Sequence, residues 1–199
     1  MSYCTTTEVL DRMGYSDPPG ASIIRRVDDA ILAASKAIDE DTGRHFTKST
    51  EDEVAVFRVP KGAFMPLRVP DLVSVTTLKI DDDADGDFET TIDAADYELD
   101  TEHDAFRGWP WEMIRLLNRG WPSPARRTRR IEVTGVWGWE AVPEPINQAC
   151  SLLVARLAQR STSAIFGVQS FGELGAQNIR NNDPDYLALI RPYRRVGIA

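Results

Sequence analysis

Residues 129–160 read RRIEVTGVWGWEAVPEPINQACSLLVARLAQR, and this stretch does more than any other to limit the folds open to the chain. It requires a strand that stops abruptly and a helix that starts a few residues later. Ile131, Val133 and Val136 follow a broken apolar alternation behind four arginines, and Gly135 and Gly138 end the run, because glycine weakens strand interiors and favours turns. Pro143 and Pro145 then open a helix, since the N–H that proline lacks would have had no partner in the first turn. Ile146, Cys150, Leu153 and Leu157 recur on one helical face, with Asn147, Gln148, Ser151 and Gln159 expected to point away.

Upstream, Thr5-Thr6-Thr7-Glu8 has capping-box spacing and predicts a short helix from about Thr6 to Met13, ended by Gly14. After the Asp17-Pro18-Pro19-Gly20 turn, Ile24, Val27, Ile31, Ala34 and Ile38 step by three and four residues, the stripe of an amphipathic helix that Gly43 terminates. Between this helix and the one after Pro145, short runs bounded by Gly, Pro or Asp predict strands. They fall near Val54–Val59, Phe64–Val69, Val73–Ile80, Phe88–Ile92, Tyr97–Leu99, Met113–Leu117 and Arg129–Val136. Residues 161–183 carry three glycines and little periodicity, which predicts a long loop. The expected fold is α+β: a helical core (1–50 and 141–162) with an inserted, mostly antiparallel β region (51–140) and an extended C-terminal segment (163–199).

The composition suffices for a packed core, with 42% hydrophobic residues in 199. No apolar run approaches the ~20 residues that cross a bilayer, and MSYCTTTEVLDRMG lacks a basic start followed by an apolar stretch, so a protein of a reducing cytosol is expected. Cys4 and Cys150 have no metal-ligand spacing and read as two free thiols, Cys150 as a core residue.

A net charge of −8 argues against general DNA coating, which relies on Lys and Arg to neutralise phosphates. The average conceals a division. Residues 81–104 hold twelve Asp or Glu and no Lys or Arg, whereas residues 107–130 hold seven Arg and Glu112 as the one acid. Such patches suit contacts between subunits or mutual neutralisation within one sheet. All five tryptophans fall between Trp109 and Trp139. Trp109, Trp111 and Trp121, with Arg126 and Arg127, match the composition of interface anchors; the other reading is rings that cap the sheet. Stacking on single-stranded nucleic acid is a rival that the acidic tract disfavours.

Asp81, Asp83 and Asp85 followed by Gly86 match the first half of a calcium loop. The second half fails, because Ile92 stands where a bidentate Glu is needed and the flanks read as strands. A hairpin turn uses the same residues for its geometry. There is no GxSxG, GxxxxGK, GxGxxG or HExxH. His45, after a helix-ending glycine, and His103, within the acidic run, each have a structural explanation. No catalytic residue and no cofactor are expected.

The strand, GxWGW turn and Pro-x-Pro helix resemble the head-tail connector (adaptor) proteins of long-tailed bacteriophages. Residues 31–46, ILAASKAIDEDTGRHF, look like that family's long first helix with its Gly-Arg-x-Phe signature; Leu67–Ile80 follows with Pro-Leu and Pro-Asp. DPDYLALIRPYRR, from Asp183 to Arg195, looks like its closing short helix and Pro-Tyr-Arg-Arg tail. The resemblance implies a structural virion protein at the head-tail interface. It would form a homo-oligomeric ring, by family twelve copies, that binds the portal protein and the next neck or tail-completion protein, with DNA passing through its channel. It further implies portal docking through Tyr186, Arg191, Tyr193, Arg194 and Arg195. The acidic run Asp81, Asp82, Asp83, Asp85 and Asp87 is a candidate channel lining that would repel phosphates. The alternatives are a calcium- or nucleic-acid-binding module, or an enzyme with a carboxylate site that motifs do not reveal.

Overall fold

The computed structural model describes residues 2–17, 19–83, 85–103, 108–121, 130–165 and 184–195, with side chains described for all of these except residues 159–165. The fold is α+β and divides into two compact units, unit 1 comprising Met1–Arg44 and Val142–Ala199 and unit 2 comprising His45–Ala141.

Unit 1 is built from helices α1 (Thr6–Arg12), α2 (Ala21–Thr42), α3 (Glu144–Ile165) and α4 (Pro184–Ile190). The capping box opens α1: the Glu8 N–H donates to Thr5 Oγ1 at 3.3 Å and the Thr5 N–H to Glu8 Oε2 at 2.7 Å. That backbone donor, joined by the Asn147 amide, holds the Glu8 carboxyl below the ordinary glutamate range. Helix α2 buries Val27, Ile31, Ala34 and Ile38 of the stripe read from the sequence, leaves its first member Ile24 half-buried, and ends at Gly43 in the left-handed region at φ +66°. Full burial of each valine or isoleucine side chain contributes roughly 1.5–3 kcal/mol, so this face outweighs any propensity term along the helix.

Helix α3 departs from the expected face. Its fully buried residues are Ile146, Ala149, Cys150 and Val154, while Leu153 and Leu157 are half-buried. Ser151, expected to point away, is 3% exposed and donates its hydroxyl to Gln148 O. Small Ala149 and Ser151 lie on the buried face beside Cys150, and the stripe continues to Val154. Gln159 lies outside the described side chains. The helix also runs to Ile165, past the start expected for the loop at 161, because Ser161 to Ile165 contain no helix breaker. The rest of that loop lies outside the described residues.

Unit 2 is a six-stranded sheet: β1 (Glu53–Arg58), β2 (Leu67–Ile80), β3 (Thr90–Ile92), β4 (Tyr97–Asp100), β5 (Trp111–Leu116) and β6 (Arg130–Trp137). The order is β1-β6-β2-β5-β4, with β3 paired to the end of β2, and every pairing is antiparallel. The two runs expected at 64–69 and 73–80 are parts of one 14-residue strand. Pro70 made them read as separate; it has no N–H for a ladder, and the β2–β5 register shifts between Arg68 and Leu72 around it. Phe64 lies outside the strand and Phe88 outside β3, where the Arg130 guanidinium sits over its ring. The sheet buries a cluster that includes Leu72, Leu78, Ile114, Ile131 and Val133, all fully buried.

Two glycines let the sheet close. A Cβ on Gly135 would lie 2.1 Å from Ser74 O, beside a shift in the β2–β6 register. Gly138 has φ +101°, and a Cβ there would meet Thr47 O at 2.0 Å. Its N–H donates to Asp71 O, and next to it the Ser49 N–H donates to Trp137 O at 2.8 Å.

Candidate functional site

The C-terminal segment carries all five residues expected to dock on the portal. Pro184 occupies the first position of α4 and Asp185 its first turn, where a negative charge meets the positive end of the helix. Tyr186 is 7% exposed and donates its hydroxyl to Asp41 Oδ2 at 2.8 Å. Burial, then that bond, pushes its phenol well above the ordinary tyrosine range. Ile190 is fully buried. A 3-10 turn, Arg191–Tyr193, follows.

The segment is fixed to the end of α2 by its backbone. Arg44 Nε donates to Tyr193 O at 2.8 Å, and the Arg195 N–H donates to Thr42 O at 2.8 Å. Helix α2 has no basic residue in its last turn, so this arginine-bearing tail brings positive charge to its negative end. Of the five residues expected to dock, Arg191, Arg194 and Arg195 are exposed, Tyr193 is half-buried, and Tyr186 faces inward as the anchor of the helix. Replacing Tyr186 with Phe is expected to cost about 1 kcal/mol, because Asp41 is exposed and water takes over the lost bond; chemical denaturation of the variant checks this.

Trp121, Trp111 and Trp109 each pack against other residues of unit 2. Trp121 is 3% exposed within the sheet core, and its indole N–H donates to Met65 O. Trp111 packs against the same core. Trp109 is half-buried, stacked on His103 at 3.8 Å and tilted against Trp139 at 5.0 Å. Arg126 and Arg127 lie outside the described residues.

The acidic tract and the arginines meet within the sheet. Pairing of β4 with β5 sets Arg115 against Asp100 at 2.9 Å and Glu98 at 3.4 Å. Arg68 reaches Glu102 at 2.6 Å, and Arg130 lies 3.4 Å from Asp81. Asp81 is fully buried, so the exposed carboxylates of the run are Asp82, Asp83, Asp85 and Asp87. They serve as turn formers: the Asp85 N–H donates to Asp83 Oδ1 and the Asp87 N–H to Asp85 Oδ1. Asp81, Asp83, Asp85 and Glu89 each bring one oxygen within 4.8 Å of the others. Glu89, not position 92, thus stands with the three aspartates of the calcium-like half-motif.

Three features escaped the sequence reading. Asp71 is 5% exposed and accepts from the Trp139 indole at 2.8 Å; the Pro-Asp pair marked the place but not the partner. Val54 and Val56 are 60% and 50% exposed on the edge strand β1, and Phe64 is 80% exposed in the loop that Trp121 pins. Their apolar character was visible, but not that they lie outside the core. Lastly, Cys4 and Cys150 meet, which a separation of 146 positions hides.

No protein-family model matches the sequence, and no curated protein does. Solved structures do match. A chain of the neck of an empty GTA particle computed with C6 symmetry superposes with a TM-score of 0.56 at 20% identity, covering 99% of this chain and 92% of that one. A chain from the virion of the native gene transfer agent (GTA) particle gives the same values. A chain of the neck of the native GTA particle computed with C12 symmetry gives a TM-score of 0.52 at 21% identity, covering 98% and 90%. At this identity the likeness is one of fold, and it spans nearly the whole of each chain.

Proposed function

We propose that this chain is a structural subunit of the neck of a phage-like particle: a head-tail connector that forms a ring beneath the portal, extends the DNA channel and joins the capsid to the next neck or tail-completion protein. The observation that carries this reading is the fold likeness over 98–99% of the chain to chains of GTA necks. The C6 and C12 symmetries of those necks support repeated identical contacts, and we take twelve copies as the ring. Exposed Val54 and Val56 on an edge strand and Phe64 beside the sheet are the apolar surface that subunit contacts would cover. Each contact is modest, and closure of the ring sums them.

In this reading the portal is met by Arg191, Tyr193, Arg194 and Arg195, with Tyr186 holding their helix in place. Asp82, Asp83, Asp85 and Asp87 face the channel and keep DNA phosphates from adhering. The protein works by assembly, without chemistry of its own.

Sedimentation of the purified chain alone and with assembled portal rings of its own particle tests the proposal. Co-migration at a fixed ratio is the expected result, whether or not the free chain is monomeric. No binding at micromolar concentrations would overturn the connector reading.

A further inference from the structure

Three parts of unit 1 converge on one pair of sulfurs. Cys4 precedes α1, Cys150 lies in the second turn of α3, and Ser35 reaches them from α2. Cys4 is 4% exposed and Cys150 fully buried, and the Cys4 thiol donates to Cys150 Sγ at 3.0 Å. Ser35 Oγ stands 3.7 Å from Cys150 Sγ, donates to Ile31 O at 2.8 Å and accepts the Tyr3 N–H at 3.1 Å. Both cysteines are free thiols in this structure. A disulfide needs the sulfurs at about 2.05 Å, so roughly one ångström of side-chain motion separates the two states.

We propose that Cys4 and Cys150 form a redox lock, in which a peroxide-class oxidant converts the thiol pair into a disulfide that fastens the N-terminal segment to α3. Hydrogen bonding from Cys4, with the N–H groups of Tyr3 and Cys4, lowers the thiol pKa of Cys150 against the opposing effect of burial. The same bond, with burial, raises that of Cys4. Cys150 is therefore the attacking thiolate. Its sulfur attacks one peroxide oxygen, the O–O bond breaks, and hydroxide leaves, giving a sulfenic acid on Cys150. Cys4 Sγ then attacks that sulfur; the S–O bond breaks and the hydroxide departs as water with the Cys4 proton. In sum, two thiols and one hydrogen peroxide yield one disulfide and two waters. Access comes through Cys4, which stands just ahead of a helix of only seven residues, and such short elements open far more readily than a whole domain.

The bond would close a loop that contains the whole of residues 45–141, so its effect on the unfolded chain is large. The lock does not depend on the ring reading, and its test uses the isolated full-length chain. Hydrogen peroxide in slight excess over protein is expected to remove both free thiols, lower the mass by two hydrogens, and yield a Cys4–Cys150 linked peptide in a non-reducing digest. The melting temperature is expected to rise by about 10 °C and to fall back on reduction. In Cys4→Ser neither the linked peptide nor the rise is expected. Retained thiols, a mass gain of oxygen without the linked peptide, or links between chains would overturn the proposal. The peptide map of the wild-type chain decides the matter even where a serine variant folds poorly.

Discussion

Reversing two exposed charges at once, Arg191→Glu with Arg194→Glu, is expected to abolish co-sedimentation with portal rings while leaving the fold intact. Both side chains are exposed, and bonds through the Tyr193 carbonyl, the Arg195 N–H and the Tyr186 hydroxyl hold the tail to α2 without using an atom of either side chain, Arg194 acting on the Tyr186 phenol through its charge alone. Surface changes of this kind move stability by about 0.5 kcal/mol each, so the melting temperature should shift by no more than about 4 °C. Binding responds differently. A charge-assisted hydrogen bond is worth roughly 1.5–3 kcal/mol, and each 1.4 kcal/mol is about tenfold in affinity. Losing two per subunit, with repulsion added and repeated around a ring, takes the complex beyond detection. Lysine at both positions keeps the charge without the planar fork and should bind with intermediate strength. Full binding by a well-folded glutamate variant would remove this tail from the docking surface.

Deleting the segment tests the same idea less cleanly. Residues 184–190 place Tyr186 and fully buried Ile190 in unit 1, so truncation would expose its core and confuse lost docking with lost folding.

The second large effect concerns Gly138. Substitution by alanine is expected to destabilise the chain by about 4 kcal/mol or more, lowering the melting temperature by roughly 10 °C or more, measured calorimetrically. The left-handed backbone at φ +101° alone costs a non-glycine residue roughly 1–3 kcal/mol. The added Cβ would also stand 2.0 Å from Thr47 O, a backbone atom that no side-chain rotation can move away. Relief means separating the two strands of chain there, and the bonds from Gly138 N to Asp71 O and from Ser49 N to Trp137 O oppose it. Gly14, also at positive φ but with open space around its Cβ position, provides the control: alanine there should cost only the backbone term.

The helices were the most legible part of the fold, because their signals are local. The stripe from Val27 to Ile38 and the Gly43 stop predicted α2 closely, and Thr5 with Glu8 marked the start of α1. Gly138 marked the end of β6, and Pro143 with Pro145 the start of the helix after it; Gly135, expected to end the run, lies inside the strand and pairs with Glu53 and Val75, where the close approach of Ser74 O leaves no room for a side chain. Where reading failed, the deciding atoms were distant in sequence. Pro70 resembled a break because its missing N–H was visible in the sequence, while the resumption of pairing at Leu72, with Trp111 of β5 and Trp137 of β6, was not. On α3 the choice between Leu153 and Val154 depends on the closeness of the neighbouring helices, which no periodicity records. The acidic and basic runs left two readings open, contact surfaces or mutual neutralisation within one sheet, and only the pairing of β4 with β5 sets Arg115 between Glu98 and Asp100 as the second requires. Asp71 and the two cysteines could not be matched to partners 68 and 146 positions away. Segment order along the chain resembled the head-tail connectors of long-tailed bacteriophages, and solved chains that share the fold come from gene transfer agent particles, two of them from structures of the neck.

The close approach at Gly138 has a bearing on how such a chain can change over generations. Residues 45–141 leave and rejoin the rest of the chain along two stretches held side by side, with Ser49 bonded to Trp137 and Thr47 against Gly138. Residues gained or lost in the turns farther along this excursion leave the spacing at its base unaltered. Lineages can therefore lengthen, trim or redecorate the sheet as their partners diverge, while the helical part is inherited with its dimensions intact.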